Sequence, residues 1–174
     1  PSNGNDRYAQ YFTRALDKGW YLAPVGSEDE HELKFASEER AKTVTIATQL
    51  SETGFRNAWL ARRVYALSEG KHLRFDMMAA GHPMGSRFAC DMGKNDVNLK
   101  VGLTERDGSF VNGLVFKLDS NTGVILEERT QTTESVTFTL PVIAAGERYF
   151  FIRAHGTDGK SVAYSAPIWI TGRE

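Results

Sequence analysis

Residues 62–75 read Arg62-Arg63-Val64-Tyr65-Ala66-Leu67-Ser68-Glu69-Gly70-Lys71-His72-Leu73-Arg74-Phe75. One periodicity ends here and another begins. Upstream, elements of helical and of strand character alternate. Downstream, apolar and polar residues alternate with period two, the signature of half-buried strands. Ser68–Lys71, polar and glycine-bearing, is the natural linker between the two regimes.

Working backwards, Asp6–Lys18 has helical spacing, with Tyr8, Tyr11, Phe12, Ala15 and Leu16 on one face. Asn5 or Asp6 can cap its first amides, and Gly19 stands where a helix C′ residue belongs. Trp20–Val25 is short and mostly apolar, as in strands buried on both faces of parallel sheets. Pro24 is tolerable near its end. Residues 27–42 are polar and charged and read as a long loop. Thr43–Thr48 is a β-branched strand. Ser51 caps a helix running to about Arg63 that carries Phe55, Ala58 and Trp59 on one face, and Val64–Leu67 is extended. Such alternation belongs to α/β folds with a parallel sheet.

Working forwards, strands are expected at 72–79, 97–104, 111–118, 122–128, 134–140, 148–155 and 162–170. Asp107-Gly108 and Asp158-Gly159 are two-residue hairpin turns of the kind that needs positive φ. Seven short strands at this spacing predict an antiparallel immunoglobulin-like or jelly-roll β-sandwich. Its core would include Leu73, Phe75, Leu99, Val101, Phe116, Phe138, Tyr149, Phe151, Ile168 and Ile170. The expected whole is an α+β two-part chain: a truncated α/β piece, 1–67, and a β-sandwich, 70–174.

Composition narrows the functional classes. Of 174 residues 41% are hydrophobic and 25% charged, the proportions of an ordinary soluble protein. Lys and Arg total 21 against 22 Asp and Glu, a net charge of −1, so no basic field would draw nucleic acid or anionic lipid. No apolar run nears the roughly 20 residues of a membrane span. Cys90 is the single cysteine, which rules out an internal disulfide. Cysteine poverty suits a cytosolic or an exported bacterial protein and fixes no compartment. The chain opens at Pro1 without a methionine, which reads as loss of an upstream part by processing or cloning.

The candidate chemistry sits at Asp29 and His31. Two apart in extended backbone, their side chains project to one side. A carboxylate and an imidazole held so can share a divalent ion, or one can ligate while the other acts on bound water. They follow directly on a strand-like run, where ligands bind in parallel α/β sheets. The alternative is a solvated acidic loop, since Glu28, Asp29, Glu30 and Glu32 surround His31. His72, His82 and His155 read as structural. No Gly-x-Ser-x-Gly elbow and no phosphate-cradling glycine loop occurs. Arg62-Arg63 at a helix end opposes the helix dipole. Trp20, Trp59 and Trp169 fall in apolar patterns and are expected in the core, which argues against a carbohydrate-binding sandwich.

Three stretches carry a resemblance: Leu16–Trp20 with Val25–His31, then Thr43–Gln49, then Ala58-Trp59-Leu60-Ala61-Arg62-Arg63-Val64-Tyr65-Ala66-Leu67. Together they resemble the C-terminal end of the PHP (polymerase and histidinol phosphatase) metal-dependent hydrolases, in the bacterial branch that carries an extra β-domain. Gly81-His82-Pro83-Met84-Gly85 and Ser165-Ala166-Pro167-Ile168-Trp169 resemble that domain's turn and closing strand. The resemblance implies a β/α barrel end in which Asp29 and His31 are late ligands of a Zn, Mn or Fe ion. It implies that the intact parent hydrolyses an ester or phosphoester through metal-bound hydroxide, and that this fragment, lacking the early ligands, is inactive alone. Glu28 departs from the family, where Ser or Asn usually precedes the pair. Unpaired edges of parallel strands would invite a second copy or the missing N-terminal portion. The competing expectation is a non-catalytic β-sandwich module for binding or interaction.

Overall fold

The computed structural model describes residues 4–27, 40–68, 71–91, 97–143 and 146–173. The first helix, α1, spans Gly4–Asp17. Strand β1 (Lys42–Thr45) precedes α2 (Glu52–Leu60), and β2 (Val64–Leu67) follows it. Ser51 caps α2 as expected: its Oγ accepts from Gly54 N at 3.0 Å. Then come β3 (Arg74–Ala79), β4 (His82–Pro83), β5 (Arg87–Asp91), β6 (Asn98–Thr104), β7 (Val115–Ser120), β8 (Ile125–Thr130) and β9 (Val136–Thr139). The chain closes with β10 (Gly146–His155), β11 (Ser161–Ser165) and β12 (Ile168–Arg173).

These strands make a mostly antiparallel β-sandwich. One sheet of four runs β4-β3-β6-β9. The other holds eight strands and is organised around β10. On one side of β10 lies β7, in register from Phe150↔Ser120 to His155↔Val115, with β8 beyond it. On its other side the first half pairs with β12 and the second half with β11. The sequence pattern makes 162–170 one strand; the structure breaks it at Ala166-Pro167. Proline has no N–H to give a ladder, and the interruption lets the two halves take different outer partners, β2 beside β11 and β5 beside β12. The Pro167 carbonyl accepts from Gly85 N instead.

Side chains replace ladder bonds that the irregular strands lose. Ser165 Oγ accepts from Ile152 N at 2.9 Å, and Ser120 Oγ donates to Tyr149 O at 2.9 Å. Gln131, fully buried, accepts from Leu103 N and donates to Leu103 O through its side-chain amide. It thereby continues β6 as a neighbouring strand would, and ties the two sheets together. The core between the sheets holds Phe75, Leu99, Val101, Phe116, Phe138, Ile168 and Ile170, as the alternation requires. Tyr149 and Phe151 are buried too, but in a second cluster on the opposite face, with Leu16 and Trp169.

The first 67 residues correct the barrel expectation. Trp20–Val25 forms no strand. β1 and β2 pair antiparallel, Lys42↔Leu67 to Thr45↔Val64, and β2 pairs antiparallel with β11 on its other side. Among the described residues the β5–β12 pair is parallel and every other pairing is antiparallel. A PHP barrel needs successive parallel strands joined by helices; here Val64–Leu67 is part of the sandwich's own sheet. The PHP resemblance, and the truncated α/β piece drawn from it, do not survive this topology. A short β-branched strand reads alike in parallel and antiparallel sheets, so the sequence pattern could not separate the two.

The Gly81–Gly85 turn is structural. Gly85 has φ +83°, and a Cβ there would lie 2.4 Å from Ala61 O and 2.5 Å from Arg62 O. Gly159, in the β10–β11 hairpin, has φ +75° with nothing within 4 Å of such a Cβ. Gly159→Ala should therefore cost about 1–2 kcal/mol for the left-handed backbone alone. Gly85→Ala should cost more, because backbone must also shift. Urea unfolding of the two variants compares them; equal losses would contradict the packing described here.

Candidate functional site

Along β10 successive side chains alternate between the two faces of the large sheet. Phe150, Ile152 and Ala154 point into the sandwich. Tyr149 and Phe151 point the other way, where α1 lies across them. Phe12 of α1 meets Phe151 edge-on, with centroids 5.3 Å apart, and Leu16 is buried beside it. Tyr11, expected on the same face, is turned outward beside Arg14. At the helix end Asp17 accepts from Tyr149 Oη at 2.8 Å and from Thr122 N at 2.9 Å. Burial first, and then the Asp17 carboxylate, push the Tyr149 phenol far above its ordinary value.

From α1 the chain crosses the sheet as residues 18–27. Two anchors hold it. Tyr21 Oη donates to Glu147 Oε1 at 2.7 Å. Its ring stands edge-on to Trp169 at 5.3 Å and lies under the Arg87 guanidinium at 4.6 Å. Arg87 in turn pairs with Glu147, and Arg62 lies over Trp169 at 5.4 Å. The second anchor is Gly26, whose N–H donates to Thr43 Oγ1 while that hydroxyl donates back to Gly26 O. A Cβ at Gly26 would sit 2.3 Å from Lys42 O, so this approach requires glycine.

Between α1, the crossing and the outer end of the sheet lies a cavity of about 670 Å³. α1 lends Ala9 and Phe12, and the crossing lends Ala23 to Ser27. The floor is the junction of β2 with β11: Ala66, Leu67 and Ser68 on one strand, Ser161, Val162 and Tyr164 on the other. Ser161 Oγ and Tyr164 Oη are 3.4 Å apart. The described lining carries no charged side chain. Such a volume, walled by small apolar groups with a few hydroxyls, has the size and character of small-molecule sites.

On the same outer face, Asp119 and Arg153 form a buried two-pronged pair, Nε–Oδ2 2.8 Å and Nη2–Oδ1 2.7 Å. Burial pushes the Asp119 carboxyl up, against the opposing pull of Arg153. His155 is buried, with Nδ1 3.4 Å from Gly159 O. His82 stacks on Phe88 at 4.2 Å, and Cys90 is half-buried. Arg62 does serve the helix end, reaching Leu60 O and Gly85 O.

Asp29 and His31 lie outside the described residues; the flanks Ser27 and Ala41 both line the cavity. Among the described residues no three His, Cys, Asp or Glu side chains gather as a metal site would require. No helix of the described residues is long and apolar enough to cross a membrane. The tryptophans depart from expectation. Trp169 is buried at 3% exposure, but Trp20 is 63% and Trp59 41% exposed. On α2, Phe55 and Trp59 lie 5.6 Å apart and Leu60 is open to solvent. Of the face expected to carry Phe55, Ala58 and Trp59, Ala58 is buried, with Gly54 beside it, while both aromatic rings stay exposed. The cavity was illegible beforehand, because its walls come from five stretches that are separate in sequence and mostly small-residued.

No protein-family model matches the chain, and no curated protein matches it. Among solved structures the chain is similar to CopC from Methylosinus trichosporium OB3b, at 16% identity and a TM-score of 0.34 over 59% of this chain and 95% of that one. It is also similar to the extracellular domain assigned to a hybrid two-component system of B. thetaiotaomicron, at 12% identity and a TM-score of 0.36. That overlap covers 64% of this chain, which spans only 18% of the other. At such scores the overlap is partial and says nothing about ligand or activity.

Arg153→Met should cost about 3 kcal/mol at pH 7, because it leaves the Asp119 charge buried and alone. Burial raises this carboxyl in the folded state, so the folded chain takes up the proton more readily than the unfolded one. The loss should therefore shrink as pH falls through the raised value. Urea unfolding at pH 7 and pH 4 measures it; equal losses would refute the assignment.

Proposed function

We propose that this chain is a non-catalytic β-sandwich module that binds a ligand in the cavity between α1, residues 18–27 and the β2–β11 floor. The observation that carries the reading is the cavity itself. It is large, walled by apolar and hydroxyl groups, and framed by a crossing segment fixed at Tyr21 and Gly26. Behind it lies the large buried apolar core between the two sheets.

The hydrolase reading is corrected. It rested on a barrel end that the antiparallel β1–β2–β11 arrangement replaces. The resemblance therefore no longer supports Asp29 and His31 as ligands of Zn, Mn or Fe; their spacing alone stands behind that reading, both lie outside the described residues, and no step is drawn through a metal or toward an ester or phosphoester.

An interaction role through α2 is the second reading. Its support is the exposed apolar surface of Leu50, Phe55, Trp59 and Leu60, since contiguous apolar patches mark contact sites. With Trp20 and Trp59 exposed, burial no longer argues against sugar stacking there.

Asp29→Ala should leave Mn and Zn binding, followed by isothermal titration, unchanged. A loss of metal binding in that variant, or p-nitrophenyl phosphate turnover that it abolishes, would overturn the module reading.

A further inference from the structure

Resting on the binding-module reading, we propose that the cavity takes a small uncharged molecule with a hydrocarbon body and a hydroxyl or carbonyl group at one end. Three observations combine. The described walls offer Phe12, Ala23, Val25, Leu67 and Val162 to the body of such a molecule. They carry no charged side chain, so an ionised ligand would be desolvated without an opposite charge among them, which is costly. At one end Ser161 Oγ and Tyr164 Oη stand 3.4 Å apart, so that end is lined by hydroxyl oxygens rather than by carbon, the side that would face a ligand hydroxyl or carbonyl.

The volume fits the same class. About 670 Å³ lies within the range of pockets that hold drug-sized molecules. It is made by small side chains, Ala9, Ala23, Ala41 and Ala66 among them. A large residue at one of these positions would intrude on it and on whatever it holds. Polar ends with apolar walls fix the orientation of a ligand as well as its affinity.

The test uses the full chain and the uncharged fluorophore N-phenyl-1-naphthylamine, followed by competition with 1-decanol, decanoate and decylamine at pH 7. The fluorophore should bind saturably at one site. Decanol should displace it at least about tenfold more effectively than either charged analogue, in keeping with the cost of burying an unpaired charge. Ala66→Phe should abolish fluorophore binding, and Ala23→Phe, on the crossing, serves if that variant does not fold. Ser161→Ala with Tyr164→Phe should keep fluorophore binding and weaken its displacement by decanol. Trp59→Ser, on α2, should change none of this.

Tighter binding of decanoate or decylamine would overturn the uncharged class while leaving a binding module. Loss of the fluorophore in Trp59→Ser, with binding retained in Ala66→Phe, would move the site to α2 and overturn the cavity. Failure of the fluorophore and of all three competitors to bind would overturn it as well. Phosphate ester turnover dependent on Asp29 would instead sink the module reading on which the proposal rests.

Discussion

Strand β10 has to be covered on both faces. Its even-numbered residues Phe150 and Ile152 demand one apolar partner, and Tyr149 and Phe151 demand another on the reverse side. Burying each large side chain is worth about 1.5–3 kcal/mol, so neither face can be left to water. The four-stranded sheet covers the inner face. Among the described residues the outer face has no second sheet, and α1 with the crossing segment takes that place. The molecule is therefore a sandwich with a partial third layer, and the cavity is the place where that layer ends and the sheet continues.

The irregularities of the large sheet follow from its layout. A strand flanked by β7 on one side and by two half-strands on the other cannot keep an unbroken ladder. Pro167 marks the break, and Ser165, Ser120 and Gln131 supply from side chains the bonds that the backbone loses. Gly85 lets the turn after β4 press against the exit of α2. That contact, with Arg62 lying over Trp169 and Trp169 against Tyr21, links α2 to the anchor of the crossing. The wall of the cavity is thus fastened to the same core that the two sheets share.

The β-sandwich was legible in the sequence because its signals are local. Alternation located β3, β6 and β10, and Asp107-Gly108 and Asp158-Gly159 located turns that do have positive φ at glycine. Core positions such as Phe75, Phe116 and Phe138 followed from the same period. The partnership of β1 and β2 did not follow. Val64–Leu67 is apolar because β1 and β11 flank it within a covered sheet, and a central parallel strand would look the same. Trp20 and Trp59 misled for a related reason: neither a short apolar run nor a helical face says which of its side chains is turned inward. On α2 it is Gly54 and Ala58 that turn inward. The cavity lay beyond reach because its chemistry is that of absent bulk, alanines and serines brought together only by the fold.

The central claim is that the segment before residue 68 belongs to the sandwich as antiparallel strands. Interstrand proton NOEs across β2 in isotope-labelled protein test it most directly. The arrangement described here predicts antiparallel contacts of Ala66 with Thr43 on one side and with Tyr164 on the other. Parallel contacts from β2, or no contacts to β11, would contradict it and restore a separate α/β piece.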